Sequence, residues 1–199
     1  MWLSISSKRP DERQMAMTGT TIENFGATVH ATGDVLAQVR DDGWNQASPC
    51  DEWTALQVAR HLVGSLSAYA AAFGRPVEGE TVGLLDGFAS ASENLLAALR
   101  APEALEQTVA IPLGAVPARM ALGLATVEVL VHGWDIAQAT GQQHDWPIEA
   151  ADAALSFSRQ ALQSISAERS PFAPPVAVEG ATHPMIQLVA LLGRSPREV

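Results

Sequence analysis

The chain has 199 residues, 47% of them hydrophobic and 17% charged, a balance that excludes a disordered polar chain and suits one domain with a sizeable core. Twenty-two acidic against 12 basic residues give a formal net charge of -10, which repels phosphate backbones and anionic membrane surfaces, so neither nucleic acid nor a membrane is expected as a partner. The single cysteine, Cys50, excludes an internal disulfide framework and a cysteine-rich zinc site, so any metal must use nitrogen and oxygen ligands.

The opening MWLSISSKRPDERQMAM places Lys8 and Arg9 after a short apolar patch and is too polar for a secretory signal. Residues 1–17 are expected to be a floppy extension, residues 18–199 a single domain, and the cytoplasm its location. Ile22, Phe25, Val29, Leu36 and Val39 recur at helical spacing, predicting a first helix over Thr21–Arg40 that the Asp41-Asp42-Gly43 turn closes. Thr54-Ala-Leu-Gln57 matches a capping box, which starts a second helix running to about Phe73, where Gly74 and Pro76 end it. Val58, Leu62, Ser65 and Tyr69 line its stripe, with His61 at the edge.

A third helix is expected over Leu84–Arg100, stopping before Pro102. Pro112, Gly114 and Pro117 make 108–117 an extended connector with at most a short strand. ARMALGLATVEVLVHGWDIAQAT, 118–140, has three charged residues and is apolar all round, the mark of a central helix, and Gly141 stops it. Its longest apolar stretch, Met120–Val131, carries Glu128 and falls short of a membrane span. A fifth helix, Ile148 to about Ser166, opens with Glu149 and Asp152; 170–179 is proline-rich and irregular, and Met185–Leu192 suits a last short helix. Five helical segments with little strand signal predict an all-α bundle with short connections.

Within the fourth helix, Glu128 and His132 stand four residues apart and project from one face. Their neighbours are apolar, and an ionised carboxylate there costs several kcal/mol unless it is paired, yet no lysine or arginine lies within a turn. A divalent cation resolves this, with His61 of the second helix as the best third ligand and an open position left for water or substrate. The competing reading of the spacing alone is a local hydrogen bond or an exposed polar face.

Three stretches, SPCDEWTALQVARHLVG (48–64), ATVEVLVHGWDIAQATG (125–141) and the ending FAPPVAV to LVALLGR (172–194), resemble the actinobacterial branch of the DinB-like superfamily, near the N-terminal domain of mycothiol-dependent maleylpyruvate isomerase. The resemblance spans most of 18–196. It implies a DinB-like up-down-down-up four-helix bundle, here with an additional helix and a short C-terminal segment. It also implies a metal, zinc or nickel, on a second-helix histidine and an E-x-x-x-H pair, which correspond to His61, Glu128 and His132. A small-molecule thiol such as mycothiol would then be the cosubstrate, presented as thiolate to an electrophilic substrate in a transferase or isomerase reaction. The alternative is a metal-binding bundle without turnover, in which the ion is structural or the bundle serves as a small-molecule binding or dimerisation module; a homodimer is compatible with so apolar a chain. That isomerase completes its active site with a separate C-terminal domain, whereas only a helix, a proline-rich segment and a tail follow Gly141 here, so its own reaction is not the expected one.

Asp135, three residues past His132, has two open readings: an acceptor that fixes the His132 tautomer, or a surface or helix-end carboxylate. Trp53 is expected to pack, and Cys50 to be a small buried hydrophobe. His30, His144 and His183 are expected to be solvated, and Arg60 to face solvent.

Overall fold

The computed structural model describes residues 20–50, 53–77, 83–163 and 172–196. The expected extension 1–17 and the end of the predicted fifth helix, which falls in 164–171, lie outside the described residues.

Helix α1 spans Ile22–Ala37, started by Thr21, whose hydroxyl accepts from the Asn24 amide at 3.1 Å. It ends three residues short of Arg40 because the amides of Gln38 and Val39 bond three residues back, to Val35 and Leu36, and tighten the last turn. Helix α2, Ala55–Ala72, opens on the expected capping box: Thr54 accepts from the Gln57 amide and Gln57 accepts from the Thr54 amide. At its other end Gly74 and Arg75 bond back to Ala71 and Ala70. This pair of fixed ends leaves α2 no freedom of register, so His61 and Ser65 sit where the sequence puts them. Helix α3 is Leu84–Leu99.

The stretch 108–117, expected to hold at most one short strand, forms a hairpin instead. Strand β1 (Thr108–Ile111) pairs antiparallel with β2 (Gly114–Pro117), in register from Thr108 with Pro117 to Ile111 with Gly114. Pro112 and Leu113 make the two-residue turn, and the prolines that argued against strand occupy the turn and the far end, where a missing amide costs nothing. Pro117 leads directly into α4, Ala118–Ala139. Helix α5, Ile148–Gln163, and helix α6, Pro184–Leu191, complete the described elements.

Helix α4 packs most extensively on α1 and α2, α2 packs on α3, and α3 on α1, which closes a four-helix bundle; α5 and α6 pair with each other against α4 and α1. The chain is thus all-α apart from the small hairpin, as the DinB-like resemblance implied. Burial of 16 of its 22 residues explains why α4 is apolar on every side. By length and composition α4 could cross a bilayer, but 78% of its apolar window is buried inside the bundle, the pattern of a core helix.

Two places bring backbones unusually close. A methyl group on Gly133 would stand 2.3 Å from the Thr32 hydroxyl, which itself donates to the Val129 carbonyl at 3.1 Å and ties α1 to α4. Near the end of the described chain, Gly193 adopts φ +82 beside Ala173, and its turn returns the Arg194 amide to the Val189 carbonyl at 2.9 Å.

Candidate metal centre

The loop before α2 builds one wall of the site. Ser48 accepts from the Cys50 amide through its hydroxyl, Trp53 donates from its amide to the Cys50 carbonyl, and Ser48 donates to the Trp53 carbonyl, so the loop doubles back on itself. Cys50 and Trp53 thereby come to lie over the second turn of α2. The Trp53 ring lies edge-on to His61, with centroids 4.9 Å apart, and stacks near His132 at 6.5 Å. Both the expected packing role of Trp53 and a role at the site are therefore served by one ring.

Across the bundle, α4 presents Glu128 and His132 one turn apart. Glu128 Oε1 lies 2.7 Å from His61 Nε2, accepts from the Ser65 hydroxyl at 2.9 Å, and stands 3.9 Å from His132 Nε2. One ligand atom each from His61, Glu128 and His132 therefore fall within 4.8 Å of one another, as the sequence reading anticipated. Ser65, assigned to the apolar stripe from spacing alone, is also a partner of the site; its position four residues after His61 was the available signal.

The electrostatics follow from this geometry. The hydrogen bond to Glu128 raises the His61 imidazole above its ordinary value, against an opposing push from burial and with further help from the Glu128 charge. Burial pushes the Glu128 carboxyl up, but the bond from His61, the neighbouring His132, the bond from Ser65 and the His61 charge together outweigh it and hold the carboxyl below its usual range. Burial, aided by the Glu128 charge, pushes the Tyr69 phenol well above its ordinary value, so Tyr69 stays neutral. The His61–Glu128 hydrogen bond thus supplies the partner that the α4 sequence lacked.

Behind His132 lies a second layer. Its Nδ1 is 3.0 Å from Asp135 Oδ2, and Asp135 is 0% exposed, so the reading of that carboxylate as a surface group is excluded. Arg194 reaches both Asp135 oxygens, at 2.9 and 3.3 Å, and donates a further bond to the Leu192 carbonyl at 3.0 Å. Arg194 was missed from the sequence; it stood in the LLGR ending, but nothing in that ending ties it to a residue 59 positions earlier.

The cluster opens onto a cavity of about 510 Å³ walled by Trp53 and Cys50, by Val127 and Val131 of α4, and by Phe172 and Leu192 from the C-terminal stretch. Cys50, expected to be a small buried hydrophobe, is half-buried on this wall and packs against the core, and it also falls with His132 and Asp135 in an overlapping group of ligand atoms. The remaining histidines lie elsewhere. His30 is exposed 3.7 Å from Asp34, and His144 meets Trp146 edge-on. His183 corrects the expectation of a solvated loop residue: its Nδ1 accepts from the Met185 amide and caps α6. Arg60 is exposed, as expected.

Two imidazoles and one carboxylate, drawn from two helices and facing a cavity, make a candidate cation cluster in a helical bundle. The chain belongs to the mycothiol maleylpyruvate isomerase N-terminal domain family, whose sequence model matches residues 25–83 and 74–137. That range contains all three cluster residues and Asp135, and stops well before Arg194. The chain is also 33% identical, over 166 residues, to uncharacterized proteins of two strains of Mycobacterium tuberculosis, covering 82% of this chain and 91% of each of theirs. No solved structure matches the chain significantly.

Proposed function

We propose that this protein binds a divalent metal, zinc or nickel, on His61, Glu128 and His132 and uses it in a thiol-dependent transfer or isomerisation. The observation that carries the reading is the convergence of three ligand atoms within 4.8 Å at the wall of a 510 Å³ cavity. The donor set fits such an ion: two neutral imidazoles and a carboxylate, with the cavity leaving a coordination position for an exchangeable group. When bound, the ion would supply Lewis acidity, holding a coordinating thiol as thiolate and polarising an electrophilic carbonyl.

The chain's own residues do the rest. Ser65 holds the Glu128 carboxylate in place by donating to Oε1, and Asp135 orients His132 by accepting from Nδ1. Val127, Val131, Trp53 and Phe172 give the cavity apolar walls beside the three ligand atoms. Mycothiol, named in the family's description, is the thiol of first choice, and the substrate is an electrophile small enough for the cavity. Residues 18–199 act as one domain in this reading, because Phe172 and Leu192 wall the same cavity as His61. We place that domain in the cytoplasm.

Metal analysis of the purified protein beside His61→Ala and Glu128→Ala tests the ligand set. Wild type should carry close to one equivalent and the variants little; equal content in all three overturns it. A cobalt-loaded sample titrated with mycothiol should then develop a sulfur-to-metal charge-transfer band. Silence across a range of thiols would leave a metal protein without thiol chemistry, in which the ion is a structural staple.

A further inference from the structure

We infer that Arg194 is a positioning residue of this centre, which acts through Asp135 to keep the His132 hydrogen on Nδ1 and leave Nε2 bare toward the cavity. The inference rests on the metal-binding reading above and adds to it a requirement from a part of the chain that the family match does not reach.

A carboxylate can only accept, and a guanidinium can only donate. With Arg194 donating to both Asp135 oxygens, at 2.9 and 3.3 Å, the carboxylate is anchored as an acceptor, and the third donor it meets is His132 Nδ1 at 3.0 Å. On the neutral ring, the form that binds a metal, the hydrogen therefore sits on Nδ1. Nε2, which faces Glu128 Oε1 at 3.9 Å, is left with its lone pair, the state a metal ligand requires.

Arg194 is itself held in place. Its side chain is 9% exposed, and the guanidinium also donates to the Leu192 carbonyl. The turn at Gly193 delivers it, and that turn admits no side chain: a methyl group on Gly193 would come within 2.6 Å of the Ala173 Cβ and 2.7 Å of its carbonyl oxygen. The Val176 amide bonds to the Ala190 carbonyl at 2.9 Å, pinning 172–176 against the end of α6. The C-terminal stretch thus does two things at the site: Phe172 and Leu192 wall the cavity, and Arg194 sets the tautomer of a ligand.

The test compares wild type with Arg194→Met, Arg194→Lys and Leu95→Ala, the last a buried α3 residue whose helix packs on α1 and α2, so that it destabilises the bundle without loosening the C-terminal stretch. Two quantities are read: the His132 ring tautomer in metal-free protein, from two-bond proton–nitrogen correlations, and cobalt(II) affinity, by competition with a chelator. Wild-type His132 should carry its hydrogen on Nδ1. Arg194→Met should give mixed tautomers and about a 10- to 100-fold loss of affinity, the range for losing a group that orients a metal ligand. Arg194→Lys should fall between, since an ammonium restores the charge but not the two-pronged geometry. Leu95→Ala should lower the melting temperature and leave both readouts at wild-type values. An Nε2–H tautomer in wild type, or wild-type affinity in Arg194→Met, overturns the inference. If wild type takes up no cobalt, the proposed function fails, and the tautomer comparison still decides the role of Arg194.

Discussion

Replacing Gly133 with alanine sets helix propensity against packing, and the two predict opposite signs. In a helix interior alanine is favoured over glycine by about 1 kcal/mol, so propensity alone makes the variant more stable. The packing says otherwise. The new methyl would sit 2.3 Å from Thr32 Oγ1, 3.0 Å from its Cγ2 and 3.1 Å from its Cβ, all three buried at the α1–α4 contact. Either α1 backs away, at about 1–3 kcal/mol for an overpacked core, or Thr32 rotates and strands its hydroxyl away from the Val129 carbonyl, at about 1–3 kcal/mol. Less the propensity gain, the net expected loss is up to about 2 kcal/mol where one cost applies and about 1–5 kcal/mol where both do. Chemical denaturation of metal-free protein measures it, and Thr32→Ala placed beside Gly133→Ala should restore part of the loss by removing the two closest atoms. A single variant as stable as wild type, or more so, would refute the claim that contact with Thr32 demands a glycine here.

Three further outcomes are expected. In metal-free protein, the His61 contribution to stability is complete below its unfolded value near 6.5 and fades as pH rises through the raised folded value. The Glu128 contribution is complete above about 4.5 and fades as pH falls through the lowered folded value, so urea midpoints should show the pair's full effect between those two pH values and Glu128→Gln should flatten the profile. On the proposed ligand set, metal binding requires His61 to give up its proton, so the rise in melting temperature on adding zinc should grow as pH rises through the raised His61 value; a pH-independent rise would count against His61 as a ligand. Thr54→Ala should lower stability by about 0.5–2 kcal/mol through loss of the capping box, while Thr54→Ser should be close to neutral, as thermal unfolding would register.

Much of the fold was legible in the sequence because its signals are local. The Thr54–Gln57 box, the stops at Gly74 and Gly141, and the all-apolar α4 each report on a few neighbouring residues, and their elements appear within three residues of the expected bounds in the described chain. The hairpin at 108–117 was read as a connector, since prolines were weighed as breakers before their places in the turn and at the strand end were known. For the site, the α4 sequence by itself determined that Glu128 and His132 share a face in apolar surroundings, which demanded a partner; the place of His61 on the second helix made it the best candidate, and the family likeness pointed to the same residue.

Only the tertiary structure decided how that demand is met. It brought His61 to 2.7 Å from Glu128 across the bundle and added Ser65 to the same oxygen. It buried Asp135 and set Arg194, 59 residues away, against it, and it gave Gly133 its reason in the Thr32 hydroxyl on another helix. The difference is physical: caps, stops and amphipathic stripes are set by interactions within a turn or two of backbone. Ion pairs and close approaches between helices depend on which faces meet, and that is fixed only when the whole core packs.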